Sequence, residues 1–199
     1  MAFYSRNLLF IHIPKTAGAS VIREMQPYTE IRTAICKTDN NHATLDCCKK
    51  YLRAEEYDRL HKFTIVRNPW DRASSWFHFR KERLELKQER EENEVRELHV
   101  MQDGGLNQWI LEYHDTPWTA TWFKLSHPQS FWLGDDIDTI IKYEDMHDDL
   151  RTLGIKLSHH RHKSHNFKSD YRNLYNDEAR ELIARICKED IDKFNYTFD

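Results

Sequence analysis

The stretch Leu8-Leu9-Phe10-Ile11-His12-Ile13-Pro14-Lys15-Thr16-Ala17-Gly18-Ala19-Ser20 decides the reading of this chain. Its apolar run, Leu8 to Ile13, ends at Pro14 and has the composition of a strand buried in a parallel sheet. A polar loop follows, and Ala19 to Met25 then reads as a helix. A junction from strand to helix exposes unpaired backbone N–H groups at the positive end of the helix dipole. Gly18 permits close backbone approach, Lys15 adds a mobile cation, and Thr16 and Ser20 add hydroxyl donors. Together these groups suit a tetrahedral anion. The lysine precedes the glycine, so the order is not the GxxxxGK[ST] of nucleotide triphosphatases. A plain connector built on a Pro-Lys-Thr turn is the alternative reading.

Working outward, the pattern recurs. Lys62 to Val66 (KFTIV) is a second β-rich run, ended by Arg67-Asn68-Pro69 and followed by helical character from Trp70 to Arg83. Thr139 to Tyr143 (TIIKY) is a third, preceding a helix through Leu153. Strands alternating with helices imply an α/β layer with a mainly parallel sheet. The opening Met1 to Ile13 reads as a first strand and not a signal peptide, since it lacks a small-residue cleavage site. A helix is expected over Ala43 to Leu52. Residues 81–99 alternate acidic and basic side chains at helical spacing, predicting a solvated helix broken by Gly104-Gly105; an acceptor-binding surface is the other reading. Apolar positions from Leu174 to Ile191 predict an amphipathic C-terminal helix over Tyr171 to Phe194.

With 199 residues the chain fits one domain, and a formal charge of -3 gives no global attraction for nucleic acid, so any anion site must be local. No apolar run reaches the roughly 20 residues that span a bilayer. A cytoplasmic protein is the expectation, with the catalytic domain of a membrane-tethered enzyme as the alternative. Cys36, Cys47, Cys48 and Cys187 match no zinc spacing and are expected to be reduced, mostly buried thiols.

The segment Phe63 to Phe77, FTIVRNPWDRASSWF, repeats the logic of the first site. Arg67 leaves the end of a strand and Ser75 lies about two turns into the next helix. Arginine there can grip a phosphate through two N–H bonds, and Ser75 adds a hydroxyl. A purely structural reading pairs Arg67 or Arg72 with Asp71. Trp70, Trp76 and Phe77 are expected in the core.

IHIPKTAGAS resembles the HIPKTAGTS segment of sulfotransferases that use 3'-phosphoadenosine 5'-phosphosulfate, particularly their carbohydrate-modifying branch. VRNPWDRASSWF resembles the same family's 3'-phosphate signature, and the two occur in the family's order. The resemblance implies that Lys15, Thr16, Ala17, Gly18, Ala19 and Ser20 wrap the 5'-phosphosulfate, and that Lys15 stabilises charge as sulfuryl moves. It implies that Arg67 and Ser75 hold the 3'-phosphate. Ala19 departs from the usual threonine, which removes one hydroxyl but keeps the backbone N–H. Further likenesses are Pro128 to Leu133 (PQSFWL), Lys142 to Asp145 (KYED), Asp190 to Tyr196 (DIDKFNY), and Lys163 with Ser164, which resemble a family segment near the donor.

Transfer to a hydroxyl needs a proton acceptor. Of the 12 histidines, His42 lies between the two motifs, where relatives place a catalytic histidine; a plain loop histidine is its other reading. His78 and Glu82 stand in reserve. His159, His160, His162 and His165 cluster with Lys163, and a basic loop over the nucleotide suits them better than a metal site, which the reaction does not require.

The resulting expectation is a P-loop-like, three-layer α/β domain with a central, mainly parallel sheet flanked by helices. It is one domain over 1–199, with residues 78–122 a variable insertion on the acceptor side. The expected activity moves sulfuryl to a carbohydrate or small-molecule acceptor, without nucleic acid, metal or membrane span. A nucleotide-dependent phosphotransferase and a catalytically silent nucleotide-binding protein are the rivals.

Overall fold

The computed structural model describes residues 2–31, 43–116, 124–157 and 170–199, with Glu30 and Ile31 in backbone only. His42, Lys163, Ser164 and the histidines from His159 to His165 lie outside the described residues. Two units divide the chain: Met1–Arg67, Thr119–Trp122 and Gln129–His162 form the first, and Asn68–Trp118, Phe123–Pro128 and Lys163–Asp199 the second.

In the first unit the apolar opening is a hairpin and not one strand. Strand β1 (Ala2–Ser5) turns at Arg6, whose φ of 56° is left-handed, and returns antiparallel as β2 (Leu8–Ile11). The polar Ser5-Arg6-Asn7 triplet is the signal for that turn. Strand β3 (Thr29–Ile31) pairs with β1, while β4 (His61–Val66) and β5 (Thr139–Lys142) add in parallel beyond β2. The five-stranded order is β3-β1-β2-β4-β5, and only β1 runs against the rest.

Period-two alternation puts Phe10, Phe63, Ile65 and Ile141 on one face. There they share a core with Val21 and Met25, at and just after helix α1 (Gly18–Glu24), and with Met146 and Leu150 of α7 (Met146–Thr152). The rings of Phe10 and Phe63 stack at 4.9 Å between centroids across the β2–β4 pair. Truncating either to alanine should cost about 3–5 kcal/mol. On the other face, Thr64 Oγ1 donates to the Ile11 carbonyl at 2.8 Å, and the buried Lys62 lies with Nζ 5.0 Å from the ring centroid of Tyr57 in α3 (Ala54–Arg59). Helix α2 (Leu45–Tyr51) precedes it, started by Thr44, whose hydroxyl accepts from the Cys47 N–H at 3.2 Å. The first unit is therefore an α/β layer flanked by helices.

The reduced-thiol expectation fails at Cys47, which is disulfide-bonded. It holds at Cys48 and Cys187, which are buried free thiols.

The second unit is helical among its described residues. Helix α4 (Pro69–Leu86) starts where Asn68 accepts from the Trp70 N–H at 3.1 Å and Pro69 fills the first turn. Charge spacing predicts one helix over 81–99, yet α4 stops at Leu86 and α5 (Glu92–Asp103) begins afresh with a Glu91–Glu94 capping box. Nor is that stretch solvated throughout. Arg80 and Glu97 are buried, with Arg80 Nη2 2.8 Å from Glu97 Oε2, and Trp109 Nε1 donates to Glu97 Oε1 at 3.1 Å from α6 (Gly105–Tyr113). Trp70, Trp76 and Phe77 are buried as expected. The C-terminal amphipathic segment is not one helix but a 3-10 turn (Tyr171–Leu174), α8 (Asp177–Ile186) and α9 (Lys188–Phe194). Asn176 caps the start of α8 by accepting from the Ala179 N–H at 2.9 Å, a fresh helix start that apolar periodicity alone overlooks. Among the described residues no helix is long and apolar enough to cross a membrane.

Candidate functional site

Strands β2 and β4 are parallel neighbours, with Ile11 opposite Thr64, so both chains leave the sheet at the same edge. The carboxyl ends of parallel strands are where α/β sheets receive ligands. From β2 the chain passes through residues 12–17 into α1, and from β4 it passes directly into Arg67. Both segments belong to the first unit.

The loop after β2 is built from unusual backbone. Lys15 has φ 69° and Ala17 φ 67°, two non-glycine residues in the left-handed region. Each such conformation costs on the order of 1 kcal/mol or more and persists only where the surroundings impose it. Backbone of this kind turns successive N–H groups toward one concave side, the geometry of an anion nest. The N–H groups of Ala17, Gly18 and Ala19 meet no acceptor among the described residues, while those of Ser20 and Val21 already bond to the Ala17 carbonyl, at 2.9 and 3.4 Å. Thr16 is fully buried and its hydroxyl donates to the Ile13 carbonyl at 2.9 Å. Its hydroxyl proton therefore closes the turn, which differs from the outward donor that the sequence suggests. Lys15 is half-buried, Ser20 buried and Ala19 exposed.

Arg67 meets this loop directly. Its Nη1 donates to the Lys15 carbonyl at 3.1 Å, and its guanidinium carbon lies 4.2 Å from the ring centroid of Tyr143. Gln129 fixes the Arg67 backbone from both sides, accepting from the Arg67 N–H and donating to its carbonyl, each at 2.9 Å. Gln129 is fully buried, so these two bonds form in a dry site where each is worth most. Tyr143 is held in turn by its N–H, which donates to the Val66 carbonyl at 2.8 Å. The guanidinium is intrinsically planar, and a ring against its face limits where that fork of N–H donors, the shape that suits a phosphate, can point. Arg72 donates to the His127 carbonyl at 3.3 Å and lies over Trp76 at 5.3 Å.

Sequence reasoning missed the parts played by Gln129 and Tyr143. Both sit inside segments noted for family likeness, PQSFWL and KYED, but nothing in the spacing says that they converge on Arg67. Nor does the sequence mark His12 as more than the polar member of an apolar strand run.

The remaining candidates lie in the second unit. Ser75, His78 and Glu82 fall at i, i+3 and i+7 of α4 and share its less buried stripe with Asp71 and Phe79. Ser75 and His78 are half-buried and Glu82 is exposed. Burial, with the charge of Lys81 second, holds the His78 imidazole below its ordinary pKa, which favours its neutral form.

No protein-family model, curated protein or solved structure matches the chain.

Proposed function

We propose that this chain is a sulfotransferase that moves a sulfuryl group from 3'-phosphoadenosine 5'-phosphosulfate to a hydroxyl or amine of a carbohydrate or small molecule, on a P-loop-like domain. The observation that carries the proposal is the meeting of the two motifs: Arg67, at the end of β4, bonds the backbone of the Lys15 loop at the end of β2. Two anion-binding elements at one sheet edge suit a donor with phosphate at one end and phosphosulfate at the other.

In this reading the N–H groups from Ala17 to Ala19 and the Lys15 ammonium receive the phosphosulfate. The acceptor oxygen attacks sulfur in line, a new S–O bond forms, and the bond from sulfur to the 5'-phosphate oxygen breaks. Negative charge grows on that leaving phosphate, and preorganised donors stabilise it without rearranging. The acceptor proton passes to His42, with His78 and Glu82 as the other candidates. Arg67 reads the 3'-phosphate; the resemblance adds Ser75 to that phosphate and Lys163 with Ser164 near the donor.

Thermal unfolding tests the donor assignment. Ligand that binds the native state raises stability by RT ln(1 + [L]/Kd). 3'-Phosphoadenosine 5'-phosphate should raise the melting temperature far more than adenosine 5'-phosphate at equal concentration, with or without magnesium. Equal shifts would sink the 3'-phosphate assignment, and a strict need for magnesium would favour a phosphotransferase.

A further inference from the structure

Gly18 is the only glycine in the anion loop, yet its φ is not left-handed; the left-handed positions are Lys15 and Ala17. Backbone freedom is therefore not why glycine stands at 18. The reason lies in space. A Cβ placed on Gly18 would fall 1.9 Å from His12 Cδ2, 2.1 Å from His12 Nε2 and 2.7 Å from His12 Cγ. The imidazole occupies the volume of the missing side chain. Its own place is fixed from the strand side: the ring stacks on Phe10 at 6.0 Å and 24° and lies 6.4 Å from Phe3. Phe3 and Phe10 are core residues that barely touch solvent, so the ring cannot slide toward them to make room.

We propose that His12 is a positioning residue of the donor site. Its ring wedges against the first residue of α1 and fixes how far the loop from Pro14 to Ala17 stands from β2. The left-handed backbone at Lys15 and Ala17, and the N–H groups beside it, are held in place by that contact. Glycine at 18 thus serves the protein's own ring and not close approach by the ligand. This rests on the donor reading above, since positioning matters only if the loop binds the phosphosulfate end.

The two explanations for Gly18 part in a pair of variants and their combination. Gly18→Ala, His12→Ala and the double variant are compared by melting without ligand and by calorimetric affinity for 3'-phosphoadenosine 5'-phosphate. Gly18→Ala should melt lower and bind about tenfold or more weakly, because a methyl forced into a filled space displaces the loop. His12→Ala should bind several-fold more weakly while remaining folded. The double variant should regain the affinity and the melting temperature of His12→Ala, because the methyl then occupies vacated space. His12→Phe, which keeps a flat ring, should bind more tightly than His12→Ala.

A double variant that binds as poorly as Gly18→Ala would overturn the proposal, since the ligand itself would then require the glycine. Wild-type affinity in His12→Ala would also overturn it, leaving the ring a passive filler. If the unsubstituted protein fails to bind the nucleotide, the donor reading falls and the nucleotide role of His12 falls with it. The melting series would still decide whether ring and glycine interlock.

Discussion

Arg67 Nη1 donates to the carbonyl oxygen of Lys15 at 3.1 Å, so the residue that follows one strand holds the backbone that follows its parallel neighbour. The contact makes the two motifs one structural object. If Arg67 also reads the 3'-phosphate as proposed, it has two tasks, a ligand and a loop, which a substitution will affect to different degrees.

Arg67→Lys separates them. Lysine keeps a charge but loses the planar fork and the stack on Tyr143. Affinity for 3'-phosphoadenosine 5'-phosphate should fall about 10- to 100-fold, consistent with roughly 1.5–3 kcal/mol for charged hydrogen bonds. Affinity for adenosine 5'-phosphate, which lacks the 3'-phosphate, should change little. Titration calorimetry with both nucleotides reads the difference, and equal losses would assign Arg67 to the loop alone.

Tyr143 acts on Arg67 through its ring, 4.2 Å from the guanidinium carbon. Tyr143→Phe should therefore preserve the preference for the 3'-phosphorylated nucleotide, while Tyr143→Ala should lose about 0.5–2 kcal/mol of it. Should Phe fail as badly as Ala, the hydroxyl would be the working group and the stack incidental.

How much of this was legible in the sequence follows from what each signal depends on. The strands β2, β4 and β5 and the loops after them are local facts, set by apolar runs that end at Pro14, Arg67 and Tyr143. The hairpin reversal was hidden because Ser5-Arg6-Asn7 is short between two apolar stretches, and period-two reading cannot tell one long strand from two. The break between α4 and α5 was hidden because charge alternation continues across it, although Lys87 to Glu91 bridges two helices. The burial of Arg80 depends on Glu97 and Trp109, partners that no local pattern supplies. For the same reason Gln129 and Tyr143 were seen as segments and not as the holders of Arg67. The disulfide at Cys47 is a tertiary fact that residue spacing did not convey.

The buried trio in the second unit gives a stability prediction. Glu97 accepts from both Arg80 and Trp109, so Glu97→Ala takes the hydrogen-bonded carboxylate from a buried cation, leaving it Glu94 Oε1 at 3.8 Å, and removes an acceptor of the indole N–H. The loss should be about 3–5 kcal/mol by chemical denaturation. Trp109→Phe, which removes one neutral donor and keeps much of the ring, should cost clearly less. Equal losses for the two variants would mean that packing at Trp109, not the ion pair, dominates.

The free thiols predict alkaline sensitivity. Burial pushes Cys48 and Cys187 each up to about 12, from an ordinary value near 9. A pKa raised in the folded state means stability that is intact below the unfolded value and lost as pH climbs toward the folded one. Unfolding free energy should fall between about pH 9 and pH 12, by at most roughly 1.4 kcal/mol per pH unit for each thiol. Cys187→Ala should remove its share of that slope. At pH 8 iodoacetamide should label neither thiol until denaturant is added, and rapid labelling of the folded protein would contradict their burial.

Sulfuryl transfer itself is the most direct test of the account. The protein is incubated with sulfur-labelled 3'-phosphoadenosine 5'-phosphosulfate and a panel of sugars and small hydroxylated molecules, beside its Lys15→Ala variant. Label should appear on at least one acceptor, with turnover about 10²–10³-fold lower in the variant. The variant should still bind the nucleotide through the backbone N–H groups of the loop. Transfer that proceeds equally well without the Lys15 ammonium, or label that never leaves the donor across the panel while a phosphoryl group does, would contradict it.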